Sequence, residues 1–105
     1  MLDRNIVSHY LTNMIGSIRH KGLRAYWNKG QTKGLNADWV ARCRRIMMAL
    51  NAASVPEEMN LPGYRFHALT GRMAGRYSVQ LTGNFRVTFA WEDDCAVEVD
   101  IEDYH

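Results

Sequence analysis

At 105 residues, 47% of them hydrophobic, the chain suffices for one packed domain and is too apolar to be disordered. No apolar run approaches the roughly 20 residues that span a bilayer, and the N-terminus lacks the apolar core of a signal peptide, so a cytoplasmic protein is expected. The net charge of +2 conceals a division: residues 1–91 hold all 13 Lys and Arg against four acids, and residues 92–105 hold seven acids and no Lys or Arg. A basic body of this kind suits a polyanion such as RNA.

Residues 1–13 admit two readings. Leu2, Ile6, Tyr10 and Met14 fall at helical spacing, which fits a short amphipathic helix; a frayed terminus fits equally. His9 reads as a surface residue. Residues 15–18 are expected to form a short strand. Leu23, Tyr26 and Trp27 make one apolar helical stripe, and Gly30 is placed to stop that helix. Residues 31–35 form a polar connection. The strongest helix is expected from about Ala37 to Ala52, capped by Asn36 or Asp38. Trp39, Cys43, Ile46 and Leu50 are its stripe, widened by Val40 and Met47, with Arg42 and Arg45 on a solvated face. Residues 53–63, with Pro56, Pro62 and Gly63, read as a loop.

A run of strands follows. Tyr64 to His67 alternates, placing Arg65 with His67. Tyr77, Val79 and Leu81 share one face, and Arg76, Ser78 and Gln80 the other. Phe85, Val87 and Phe89 oppose Arg86 and Thr88. Gly83-Asn84 suits a turn because both residues tolerate positive φ. Trp91 to Asp94 reads as the next turn. The last strand, Cys95 to Ile101, puts Val97, Val99 and Ile101 on one face and Glu98 and Asp100 on the other. Helices first and neighbouring strands after imply an α+β fold, with N-terminal helices covering one face of a mainly antiparallel sheet. The uncovered face gathers His67, Arg76 and Arg86. It is either a plain solvated surface or a site. Cys43 and Cys95 form no C-x-x-C pair, so free thiols are expected and no metal or other cofactor.

Several short motifs occur in order: His20-Lys21-Gly22-Leu23, Lys29-Gly30, Tyr64-x-x-His67-x-Leu69-x-Gly71, Gly75-x-x-Ser78-Val79, Asn84-Phe85-Arg86-Val87-Thr88-Phe89, and Glu102-Asp103-Tyr104-His105. In this order and spacing the chain resembles the HigB toxins of the RelE/ParE superfamily, from about Ile15 to the C-terminus. The terminal Asp-Tyr-His and the Asn84–Phe89 strand carry most of the resemblance. It implies a RelE-like microbial ribonuclease fold over residues 15–105, preceded by an extension over residues 1–14. It also implies a type II toxin that cuts mRNA in the ribosomal A site, and a HigA-like helix-turn-helix antitoxin. Partners would then be ribosome and mRNA, with DNA reached only through the antitoxin and no membrane. Thr70 stands where members often carry Lys, which removes one cation near the phosphate unless Arg72 or Arg76 replaces it.

Metal-independent RNA cleavage removes a proton from the 2′-hydroxyl, stabilises the phosphate and protonates the leaving 5′-oxygen. On the resemblance, His67 and His105 divide the proton transfers, since histidine titrates near neutral pH. Asp103 orients or assists deprotonation, Tyr104 stacks on a base or bonds the phosphate, and Arg86 holds the scissile phosphate. Arg72, Arg76 and Lys21 add RNA binding. Three rivals remain: a ParE-like gyrase inhibitor without RNase activity, a non-catalytic RNA-binding module, and a degenerate toxin left inactive by Thr70.

Overall fold

The stripe of Leu23, Tyr26 and Trp27 forms α1 (Lys21–Lys29), and that of Cys43, Ile46, Met47 and Leu50 forms α2 (Val40–Ala52). The computed structural model describes residues 15–104. The extension, its two readings and His105 lie outside the described residues. His20 caps α1, its Nδ1 accepting the Leu23 N–H at 3.0 Å, and Gly30 ends the helix in the left-handed region at φ 73°. Asn36 caps a 3-10 turn (Ala37–Trp39) that leads into α2, its side chain accepting from the Asp38 N–H.

Four strands follow, β1 (His67–Ala68), β2 (Arg76–Gln80), β3 (Phe85–Glu92) and β4 (Cys95–Asp103), in the order β1-β2-β3-β4 with every pair antiparallel. The α+β expectation holds. Leu23 from α1 and Cys43, Ile46, Met47 and Leu50 from α2 share one core with Val79, Val87, Phe89 and Val99 of the sheet. On that face Phe66, Tyr77 and Phe89 stack in succession, with centroid separations of 5.8 and 5.6 Å, and Trp91 meets Phe89 edge-on at 6.4 Å. Trp39 adds a contact to Phe85 at 4.8 Å. Among the described residues no helix is long and apolar enough to cross a membrane.

Several local expectations need correction. The strand expected over residues 64–67 is reduced to His67–Ala68, because Arg65 takes φ 49° and breaks the extended run. Tyr64 instead turns into the core. Residues 15–18 contribute one parallel bridge, Ile18 to Val99, rather than a strand. The loop at 53–63 contains a 3-10 turn (Pro56–Met59) that buries Pro56 and Met59. Neither Gly83 nor Asn84 needs positive φ. The Thr82 hydroxyl closes that turn by accepting the N–H groups of Asn84 and Phe85, each at 3.1 Å. β3 runs on through Glu92, and the hairpin turns on Asp93 and Asp94 at φ 51° and 67°. Arg42 is not merely solvated. Its guanidinium donates to the Gln80 and Gly63 carbonyls and lies over the Tyr64 ring at 4.5 Å, tying α2 to the end of β2.

The largest correction concerns β4. Thr88 faces Asp100 but Ala90 faces Val97, so β4 carries an extra residue at this point, with Glu98 at φ 49°. The bulge shifts the pleat. The core receives Ala96 and Val99, while Val97 lies only half-buried, in place of the expected alternation of Val97, Val99 and Ile101.

Gly22 meets Gly34 backbone to backbone: a Cβ on Gly22 would lie 2.0 Å from the Gly34 carbonyl oxygen. Gly30 has open space around it and is constrained only by its φ. Gly22→Ala is therefore expected to cost about 3 kcal/mol or more through a backbone clash, against about 1–2 kcal/mol for Gly30→Ala. Urea unfolding followed by tryptophan fluorescence checks the ranking; an equal loss in both variants contradicts it.

Candidate active site

Alternation along the strands sets His67, Ser78, Thr88 and Asp100 in one row across the sheet, since each is the direct partner of the next. A second row holds Gln80, Arg86 and Glu102. Both rows lie on the face away from the helices, because Val79, Val87 and Phe89 between them point into the core. From strand spacing and rise, the Cα atoms of His67 and Arg86 are roughly 12 Å apart. An imidazole and an extended guanidinium projecting from such positions can reach a common phosphate.

The two rows are not a solvated surface throughout. Ser78 and Thr88 are fully buried. Arg76 lies across Thr88, its side chain only 11% exposed. Its Nη2 donates to the Thr88 hydroxyl at 2.9 Å and to the Glu98 carbonyl at 2.8 Å. The Thr88 hydroxyl in turn donates to the Glu102 carboxylate. Arg19 pairs with Glu98 and, at 4.0 Å, with Asp100. Burial holds the Arg76 guanidinium below its ordinary value, and Arg19 adds to that effect, while Glu102, Asp100 and Glu98 oppose it. The Nε groups of Arg76 and Arg86 are buried and without a hydrogen bond among the described residues.

His67 is exposed at the sheet edge, with its Nδ1 2.7 Å from the Arg65 carbonyl. That contact places the donor proton on Nδ1 and leaves Nε2 for other work. Arg86 sits 5.2 Å from the Tyr104 ring centroid, and Tyr104 is held by its N–H to the Asn84 carbonyl at 2.8 Å. The structure thus brings His67, Arg76, Arg86 and Tyr104 to one face. Arg72 is exposed in the turn between β1 and β2. Asp103 faces Phe85, on the opposite pleat from Arg86 and Glu102. Lys21 is elsewhere, in a hollow along α1 whose lining includes no sheet residue.

Sequence reasoning missed the supporting set of Thr88, Glu98, Glu102 and Arg19. Thr88 was on the correct face by alternation, but its burial carries no sequence signal. Glu98 sits on a bulge that Val-Glu-Val alternation conceals. Neither thiol is a nucleophile candidate: burial pushes Cys43 up to about 11 and raises Cys95, the latter with help from Asp93. Among the described residues no group of His, Cys, Asp or Glu comes together as a metal-ligand set.

Two helices packed on a four-stranded antiparallel sheet form an α+β arrangement consistent with the RelE-like fold. The family described as RelE-like toxin of type II toxin-antitoxin system HigB matches residues 16–105. Endoribonuclease HigB of Proteus vulgaris is 36% identical over 92 residues, which is 88% of this chain and 100% of that protein. The chain belongs to the HigB-like toxin family of type II toxin–antitoxin systems, and so has an antitoxin partner.

Two outcomes follow, one for the supporting set and one for the core. Thr88→Val removes the group between Arg76 and Glu102 at constant shape, and should destabilise the fold by about 1–3 kcal/mol; urea unfolding measures it, and an unchanged midpoint would show the bridge to be dispensable. Cys43 bears on alkaline stability. Its folded value lies above the ordinary 9.0 at about 11, so the folded state holds that proton more tightly. The associated stability is present below pH 9.0 and is lost as pH rises through about 11. Cys43→Ala should therefore lose less stability than wild type across that interval, by at most roughly 2–3 kcal/mol, as read from melting curves at stepped pH.

Proposed function

We propose that this toxin is a ribosome-dependent endoribonuclease, cutting mRNA in the ribosomal A site by metal-independent attack of the 2′-hydroxyl. The observation that carries the reading is His67, anchored through Nδ1 at the open sheet edge, on the same face as Arg86 and Arg76. Its Nε2 exchanges a proton with the substrate. Arg86, stacked against Tyr104, receives the scissile phosphate through its guanidinium fork. Arg76 is too enclosed to move, and acts as a fixed positive charge beneath the site. Arg72 binds RNA from the neighbouring turn. His105 supplies the second proton transfer, and Asp103, on the opposite pleat from Arg86, acts by orienting. A phosphodiester cut in this way leaves a 2′,3′-cyclic phosphate or 3′-phosphate and a 5′-hydroxyl.

The name of the Proteus vulgaris relative, an endoribonuclease, supports the same chemistry here. A gyrase-binding toxin has no use for an exposed histidine anchored through Nδ1 on the same face as Arg86 and Arg76. Residues 15–105 form the toxin unit and residues 1–14 an extension to it. The neutralising partner is a HigA-like helix-turn-helix protein, through which the toxin reaches DNA, and the setting is the cytoplasm.

Primer extension on a defined mRNA during translation in vitro tests the assignment. Wild type should give discrete, ribosome-dependent cuts. His67→Ala and His105→Ala should each slow cutting by about 10²–10⁴-fold, and Arg86→Lys should lower it while leaving the fold intact. Cuts that persist in both histidine variants would remove the acid–base assignment. Absence of cuts from wild type would turn attention to gyrase, through a supercoiling assay.

A further inference from the structure

Arg86 and Glu102 are direct partners across β3 and β4, on the face away from the helices. Opposite charges so placed have Cβ atoms roughly 5 Å apart and ordinarily attract one another. Yet among the described residues neither makes an ion pair. The two long side chains lean in opposite directions along the strands. Glu102 reaches diagonally to Thr88, the partner of Asp100, and accepts the hydrogen bond of its hydroxyl. Arg86 leans the other way, towards the ring of Tyr104, whose N–H is held by the Asn84 carbonyl.

Arg76 dictates which way the Thr88 hydroxyl points. A guanidinium carries donors and no acceptor, so the Thr88 oxygen must accept from Arg76 Nη2. The one hydroxyl proton is then left for the Glu102 carboxylate. Arg76 is itself fixed, because the same nitrogen donates to the Glu98 carbonyl and the side chain is enclosed. Thr88 is fully buried, so solvent does not compete for its hydroxyl. The chain of donors runs from Arg76 through Thr88 to Glu102 and draws the carboxylate along the strand, away from Arg86.

The consequence falls on Arg86. A carboxylate seated against its guanidinium would take the donors that a phosphate needs and would repel the charge of that phosphate. Serine at position 88 keeps the hydroxyl. Valine removes it while keeping the volume between Arg76 and Glu102. A Glu102 carboxylate released from Thr88 has the Arg86 side chain directly opposite.

We infer that Thr88 is a positioning residue for RNA cleavage: it ties the Glu102 carboxylate towards Arg76, and so keeps Arg86 open for the scissile phosphate. The inference rests on the reading of Arg86 as the phosphate-holding group, and its test separates the two. Cutting of a defined mRNA on translating ribosomes is timed under single-turnover conditions with the full chain in excess, and tryptophan fluorescence checks that each variant is folded. Thr88→Val should cut roughly 5-fold more slowly or worse, and Thr88→Ser should restore the rate. Thr88→Val/Glu102→Gln should recover cutting, because no carboxylate is left to occupy Arg86; a purely structural role for Thr88 gives no such rescue. Glu102→Asp and Glu102→Gln pose the same question with Thr88 in place, should the valine variant fail to fold. The aspartate keeps the charge but is one methylene too short for the diagonal to Thr88, so it should slow cutting, whereas the glutamine should cut at least as fast as wild type. Normal cutting by Glu102→Asp and by folded Thr88→Val, or a double variant as slow as Thr88→Val, would overturn the inference while a slow Arg86→Ala left the phosphate role of Arg86 standing. No cutting by wild type, or wild-type cutting by Arg86→Ala, would remove that role and the inference with it.

Discussion

Arg76 reaches across the sheet beneath its polar surface, with the Thr88 hydroxyl and the Glu98 carbonyl on one of its nitrogens and three carboxylates nearby. A guanidinium this enclosed is costly unless its donors are met and its charge is balanced. Both conditions constrain the rest of the face. The bulge in β4 turns the Glu98 carbonyl towards Arg76, and the same bulge puts Ala96 and Val99 into the core. Thr88 can serve Arg76 and Glu102 together only because the β2–β3–β4 register sets it in the row with Ser78 and Asp100. Polar face and apolar core are thus coupled through one irregularity in one strand.

The acidic C-terminal segment has a physical role in this arrangement. Its carboxylates do not spread over the basic body. Glu98 and Asp100 meet Arg19, and Glu102 accepts the Thr88 hydroxyl's hydrogen bond. Arg86, the direct partner of Glu102, makes no ion pair among the described residues and faces the Tyr104 ring instead. Some cations are therefore held as structure while others stay available for an anionic ligand. The lysines along α1 belong to the second group, because they make no ion pair among the described residues.

The short motifs acquire causes once the chain is folded. In His20-Lys21-Gly22-Leu23, His20 caps α1, Gly22 admits the Gly34 backbone and Leu23 enters the core. In Lys29-Gly30, the glycine supplies the left-handed turn that ends the helix. In Asn84-Phe85-Arg86-Val87-Thr88-Phe89, three residues build the core and the other three serve the site: Asn84 holds Tyr104, Arg86 stacks on it, and Thr88 bridges Arg76 to Glu102.

The sequence by itself determined both helices, the order of the strands and the side of β2 and β3 on which the cations stand. Apolar spacing of three to four or of two residues reports directly which way a side chain faces. Through the family resemblance it also marked His67, Arg86 and Tyr104. Tertiary structure alone decided the rest. Only packing could bury Thr88 and enclose Arg76, because burial depends on what arrives from distant segments. Only pairing with β3 could produce the bulge at Glu98, since a regular Val-Glu-Val pattern satisfies a straight strand equally well. Arg42 belongs to the same class: its helix position alone implied a solvated face, and contacts with residues 63, 64 and 80 made it a tie between α2 and the sheet. Local periodicity records the direction of a side chain, whereas its partners are fixed by the global balance of buried polar groups and charge.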